Sequence, residues 1–403
     1  SNEINLIINM PSMPPVDNYR KMGEPEINIP NLPMDLYMCN ACGHVQLLDV
    51  VDPDVLYGNY IYTTSSSPDS DDHFSIFVER TTDYLKLSGN EKILDIGSND
   101  RLLLEKFKDL GHEVIGIDPS QLAAGIASKN GIETYVSYFN NESTKMLLEK
   151  HGKFELITAN NVFSHADDLK EFAQCVENLL SNEGVFVFEV TYLLDLVQKR
   201  VLDYVYHEHL CHHSVSPLRI FMEKCNLKLI NVDRLEVKGG SIRCYAVKAT
   251  NAKKPEKIID QMIDSEIQEG LYKPKTYQVL SQEFQNLKLK VKSEIHRELM
   301  SGNKIAAYGA SATSTVLNYL LDINPHLSYI VDDNKLRQGR LSPGYMIPVK
   351  SSSSLLIDKP SIVVISAWRF ADIIIDVNQS YLDAGGSFLI PLPNFEIISQ
   401  DSH

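Results

Sequence analysis

The sequence predicts an α/β protein with two nucleotide-fold units behind a small, loop-rich start, and three observations carry that prediction. Strand and helix patterns alternate from about Phe74 to Ala249, a glycine turn separates strand from helix at Gly97, and the alternation resumes between Lys304 and Ala367. The units expected along the chain are residues 1–64, 65–250 and 251–403. A chain of 403 residues is too long for one ordinary core and suits two or three domains of roughly 100–200 residues each.

Composition narrows the function classes. With 43% hydrophobic and 23% charged residues the chain is of the soluble globular type, and no apolar run approaches the ~18–20 residues that span a bilayer. A formal net charge of −15 makes a nucleic-acid backbone a poor partner, so an anionic ligand must be held by a local basic patch or by backbone amides. Of six cysteines only Cys39 and Cys42 sit close together, which suggests a reducing compartment, the cytoplasm, rather than a disulfide framework. The chain opens Ser1-Asn2-Glu3 with no initiator Met and no export signal, the start expected of a truncated or processed chain.

Taken in order, the first unit is rich in proline and carries the knuckle Cys39-Asn40-Ala41-Cys42-Gly43. A unit this small lacks a large core and needs a staple. The run Lys92-Ile93-Leu94-Asp95-Ile96 reads as a buried strand ending in the turn Gly97-Ser98-Asn99-Asp100, and Leu102, Leu103, Phe107 and Leu110 have helical spacing after it. Twenty-one residues after Gly97, the strand Glu113 to Ile117 delivers Asp118, where a carboxylate can accept from both ribose hydroxyls of an adenosine ligand. Gly97 is the only glycine between 97 and 102, and a pyrophosphate needs a closer backbone approach than that. NAD is therefore the weaker reading. S-adenosylmethionine, which has no phosphate and carries ammonium and sulfonium charges that an acidic turn complements, fits better. The plain alternative is a simple turn at Gly97 and a helix cap at Asp118 before Pro119. Beyond a break at Thr250 to Lys257, Phe284, Leu287, Val291 and Ile295 mark a connecting helix before the second strand–helix alternation.

Several residues are candidates for chemistry. Tyr206-His207-Glu208-His209 offers a base and a hydrogen-bonding partner within four residues, and on an extended segment Tyr206 and Glu208 share one face and the histidines the other. His207, His209, His212 and His213 could instead gather a metal, but H-E-x-x-H fails because Cys211 stands four residues after His207. His165 follows a strand and reads as a core or a site histidine. Arg243, after Gly239-Gly240, could clamp a diphosphate or make a strand-end salt bridge. Tyr308-Gly309-Ala310 precedes a helix, with Lys335, Arg337 and Arg340 following the strand that bears Asp332. That is an anion-binding mouth or a solvated basic loop.

These motifs, together with Tyr60-Ile61-Tyr62, Asn161-Val162-Phe163-Ser164-His165 and Gly239-Gly240-Ser241-Ile242-Arg243, resemble those of the bacterial sugar C-methyltransferases along nearly the whole chain. The resemblance implies a cysteine-liganded zinc module, a class I S-adenosylmethionine methyltransferase core and a C-terminal Rossmann-like domain that binds a nucleotide sugar. It implies methyl transfer to C3 of a nucleotide-linked 4-keto-deoxysugar, with His209 as base and Glu208, Tyr206, His165 and Tyr60 in the catalytic set. Cofactor contacts are then expected from Gly97, Ser98, Asn99, Asp118, Pro119, Asn160 and Asn161. Substrate contacts are expected from Tyr62, Arg243, Tyr308, Arg337 and Arg340. Two features depart from the family. Arg101 stands where its members commonly carry glycine, and is expected to narrow the cofactor pocket or pair with Asp100 or Glu105. Only Cys39 and Cys42 represent the two zinc-binding CxxC pairs, so the first pair is expected upstream of Ser1. The partners implied are a nucleotide-activated ketosugar and no nucleic acid or membrane, in a monomer or small homo-oligomer. A catalytically silent sugar-nucleotide-binding or assembly protein and an NAD-dependent sugar oxidoreductase are the alternatives.

Overall fold

Alternating burial along Lys92–Ile96 determines how the central layers stack. Ile93 faces a core shared with Phe77 and Val78 of helix Ser70–Leu85 and with Leu103, Leu104 and Phe107 of helix Leu102–Asp109, whereas Leu94 and Ile96 face Phe172, Val176 and Leu179 of helix Leu169–Leu179. In this computed structural model, which describes residues 3–24, 30–57, 64–66 and 70–400, the strand lies inside a seven-stranded sheet. The order is Leu227–Leu235, Ser241–Lys248, Leu180–Thr191, Phe154–Asn160, Lys92–Ile96, Glu113–Asp118, Glu133–Val136. From Leu180–Thr191 to Glu133–Val136 the pairings are parallel, and Ser241–Lys248 enters antiparallel to both its neighbours. Chain order reverses between Lys92–Ile96 and Phe154–Asn160, which opens a crevice at their carboxyl ends. This is the predicted Rossmann-like core.

A second sheet, of six strands, runs Val349–Lys350, Leu327–Val331, Ile305–Tyr308, Ile362–Ile365, Ser387–Ile390, Glu396–Ile398, parallel except at the last strand. Helix Pro274–Met300 leads into it, starting with proline in its first turn and burying Tyr277, Leu280, Phe284, Val291 and Ile295 along one seam, with Leu287 packed beside them.

The N-terminal unit is less self-contained than its composition suggests. Ile4–Ile8, Leu36–Cys39 and Val45–Gln46 form an antiparallel sheet whose fourth strand is Cys211–His212, just beyond His209. Arg20–Lys21 pairs with Arg340–Leu341 of the C-terminal unit. Such pairings are set by backbone groups that must find partners, so side-chain pattern does not announce them. Among the described residues no helix is long and apolar enough to cross a membrane.

Candidate active site

The crevice between Lys92–Ile96 and Phe154–Asn160 is built around Gly97. Its φ of +69° is open to glycine, and a Cβ there would lie 2.3 Å from Val162 Cγ2. Asp118 ends the neighbouring strand, its carboxylate accepting from the Asn99 N–H at 2.9 Å and the Ser120 N–H at 2.8 Å. Burial pushes this carboxyl upward and the two N–H donors pull it back. Each oxygen keeps a further lone pair for a ribose hydroxyl. Across the crevice both amide atoms of Asn160 are buried and lack a partner among the described residues, as does Ser98 Oγ. Asn161 holds the adjoining bend at φ +57°, its N–H donating to the Glu189 carbonyl. Pro119 lies beside Asp118. Orphan polar atoms, a glycine cradle and an acidic strand end fit an adenosyl ligand.

The turn's other side chains face outward to a covering segment. Asn99 Oδ1 accepts from the Thr64 N–H at 2.8 Å, and Asp100 Oδ2 accepts from both the N–H and the hydroxyl of Ser65. Tyr60 and Tyr62, just upstream, lie outside the described residues. Arg101 has φ +106°, ψ −21°, a backbone state suited to glycine, and its Nη1 pairs with Glu105 at 2.7 and 2.9 Å. The expected Glu105 pairing is thus present.

Val162, which abuts Gly97, also starts the turn Phe163–His165 and accepts from the His165 N–H, so the crevice continues directly to a histidine pair. The His165 and His209 rings lie 5.1 Å apart. Residues 206–209 form a hydrogen-bonded turn, not an extended segment, with the His209 N–H donating to the Tyr206 carbonyl at 2.8 Å. Tyr206 and His209, expected on opposite faces, therefore lie with their rings 4.1 Å apart, tilted by 34°. His209 Nδ1 lies 2.7 Å from the Tyr204 carbonyl oxygen. A carbonyl only accepts, so Nδ1 carries the proton and the neutral ring presents its lone pair on Nε2. Burial lowers the His209 pKa to about 4, below the near-neutral value expected of an exposed imidazole. Glu208 is buried and pushed up to about 8, first by desolvation and then by Asp17.

Comparison with known proteins fits this geometry. Residues 75–232 match the family described as "Methyltransferase domain", residues 236–393 "C-methyltransferase C-terminal domain" and residues 1–57 "Putative zinc binding domain". The C-methyltransferase NovU of Streptomyces niveus is 28% identical over 371 residues, covering 92% of this chain and 88% of that protein. The chain is an S-adenosylmethionine-dependent methyltransferase related to the bacterial C-methyltransferases. A ubiquinone biosynthesis O-methyltransferase of Bradyrhizobium diazoefficiens is also 28% identical, over 109 residues that cover 27% of the methyltransferase described here and 43% of its own length. Among solved structures, an S-adenosylmethionine-dependent methyltransferase from Clostridium acetobutylicum aligns with a TM-score of 0.36 and 15% identity, covering 48% of this chain and 94% of its own.

Several predicted substrate contacts are engaged elsewhere in the methyltransferase. Arg243 is 1% exposed within strand Ser241–Lys248, where Nε and Nη2 reach Glu189 Oε1 at 2.8 and 2.7 Å. Its guanidinium covers the Phe77 ring, and His73 Nε2 lies 2.8 Å from the other Glu189 oxygen. The strand register places Arg243 opposite Glu189, so the residue is an internal ion pair rather than a diphosphate clamp. Arg337 Nη2 pairs with Asp17 at 2.5 Å, and Arg340 donates to the Tyr19 and Leu336 carbonyls. The N-terminal segment thus takes up cations assigned to an anion-binding mouth. Tyr308 is buried with its hydroxyl on Asp333.

Cys39 and Cys42 flank a knuckle in which the Gly43 N–H donates to the Cys39 carbonyl. Two thiols are half of a closed zinc site, and among the described residues no group of three or more His, Cys, Asp or Glu is arranged to hold a metal. The residues present do not complete a zinc site, and His207, His212 and His213 do not form one either. Sequence reasoning missed Tyr204, whose backbone oxygen does the work and leaves no side-chain signal, and Asp17 and Tyr19, which have no local periodicity.

Proposed function

We propose that the methyltransferase alkylates carbon, at C3 of a nucleotide-linked 4-keto-deoxysugar, in the cytoplasm. The observation that supports this most is the 2.7 Å contact between His209 Nδ1 and the Tyr204 carbonyl oxygen. A carbon next to a ketone becomes a nucleophile only after losing a proton, and a buried imidazole with Nδ1–H tied to a carbonyl is a ready acceptor at Nε2. A base of this kind has no counterpart need in methylating an ionised oxygen.

Gly97, Ser98, Asn99, Asp118, Pro119, Asn160 and Asn161 are assigned to the cofactor, which when bound supplies an electrophilic methyl group. His209 takes the proton at Nε2 and holds it while negative charge spreads to the ketone oxygen. Tyr206 and His165 enclose the base and keep bulk water away from the carbanion side of the enolate. Glu208, protonated below about pH 8, is a hydrogen-bond donor and is assigned to a sugar or enolate oxygen. The nucleotide end is assigned to the C-terminal unit, residues 251–403, at the carboxyl ends of its parallel strands.

Incubation with a panel of nucleotide 4-ketosugars and an isotopically labelled methyl donor tests this reading. Label on the carbon next to the ketone is expected. Label on oxygen, or no transfer across the panel, would refute it.

A further inference from the structure

The carbonyl that orients His209 belongs to the short turn Leu202–Tyr204, and the charged residue of that turn is gripped from another unit. Asp203 is fully buried. Its carboxylate accepts from Arg369 Nη1 at 2.9 Å, Arg369 Nη2 at 3.0 Å and Trp368 Nε1 at 3.1 Å, all from the turn that follows strand Ile362–Ile365 of the C-terminal sheet. The same guanidinium lies against two rings, its central carbon 4.6 Å from the Tyr204 centroid and 4.2 Å from that of Trp368.

We infer that Arg369 is a positioning residue: by fixing Asp203 and the Tyr204 ring from the C-terminal unit, it sets the Tyr204 carbonyl against His209 Nδ1 and so selects the tautomer that leaves the lone pair on Nε2. The inference rests on the reading of His209 as the base. A two-point fork fixes both the distance and the plane of the carboxylate, which a single charge cannot do. Without Arg369 the Asp203 charge is buried and uncompensated, and it relaxes toward water with the backbone of its turn. An imidazole whose Nδ1–H has lost its acceptor has no reason to keep its proton there, and a ring protonated on Nε2 cannot accept a proton at that atom.

The test compares wild type with Arg369→Gln and Arg369→Lys. Nitrogen-15 shifts of the His209 ring report the tautomer without reference to activity. Wild type should be protonated on Nδ1, and Arg369→Gln should gain the Nε2-protonated form. Methyl transfer should then fall about 10²-fold in kcat, as for a displaced catalytic group, with KM for S-adenosylmethionine held within about twofold. Arg369→Lys keeps the charge but not the fork, so it should shift the tautomer less and recover part of kcat. It also serves as the deciding variant if Arg369→Gln does not fold. A wild-type tautomer in every folded variant would overturn the inference. Absence of transfer to every ketosugar by the wild-type protein would instead refute the substrate reading, and the tautomer comparison would still decide the role of Arg369.

Discussion

The Tyr206 ring lies 4.1 Å from the His209 ring, tilted by 34°, because the turn hydrogen bond between their backbones closes the three-residue gap that an extended chain would keep open. The contact places one aromatic face where water would otherwise solvate the imidazole. With His165 at 5.1 Å on the same ring, the environment disfavours an imidazolium at rest. The proposed base is therefore neutral at rest.

His209→Asn should abolish methyl transfer while leaving cofactor affinity intact, since Gly97 and Asp118 lie on other loops. The loss should be at least the ~10²–10⁴-fold usual for a general base. Wash-in of solvent deuterium at the carbon next to the ketone, measured with a non-reactive cofactor analogue bound, should stop in the variant. Persistent exchange would move the base to His165 or His207.

The acid limb of the pH–rate profile should lie low. His209 is held to about 4 against its ordinary 6.5, so it remains an unprotonated acceptor down to about pH 5, and kcat should begin to fall only below that. An acid limb centred near 6.5 would contradict the burial of the base.

Stability should show the matching trend. His207 and His209 fall to about 4 and His212 to about 3, all chiefly by desolvation, from 6.5 in the unfolded chain. Between about pH 4 and 6.5 these three imidazoles therefore bind fewer protons folded than unfolded, against the opposite contribution of Glu208, which is raised to about 8. The stabilisation is fully present above 6.5 and is lost as pH falls through that window. Urea midpoints measured at pH 7 and pH 5 should differ, and His212→Gln should flatten the difference.

Arg101→Gly should stabilise the fold. Release of a non-glycine residue at φ +106° is worth about 1–2 kcal/mol, and the lost Glu105 pair returns only about 0.3–0.5 kcal/mol. Cofactor affinity should be unchanged or better, and a large loss measured by calorimetry would show the guanidinium to be a ligand contact.

Arg243→Ala should act on stability rather than on substrate. Removing one partner of a buried ion pair costs about 3–5 kcal/mol, because Glu189 is left with His73 alone. The denaturant midpoint should drop sharply. Folded protein at low temperature should keep its KM for the nucleotide sugar, and a selective rise in KM would restore the diphosphate role.

The amino-acid sequence by itself determined the two Rossmann-like sheets and the glycine turn, and its family resemblance singled out the candidate base. Local rules reach that far: Ile93, Leu94 and Ile96 specify a strand buried on both faces, Gly97 permits a bend that other residues resist, and Asp118 falls where the next strand must end. Tertiary structure alone decided which cations are paired internally and how the proposed base is tuned. Arg243 meets Glu189, and Arg337 meets Asp17, through strand register and chain crossings between residues 54 and 320 positions apart. Likewise the His209 proton is directed by a backbone carbonyl whose turn is clasped by Arg369, 166 residues beyond Asp203. A charge or a lone pair takes its value from the partner it finds in space, and spacing along the chain carries no record of that partner.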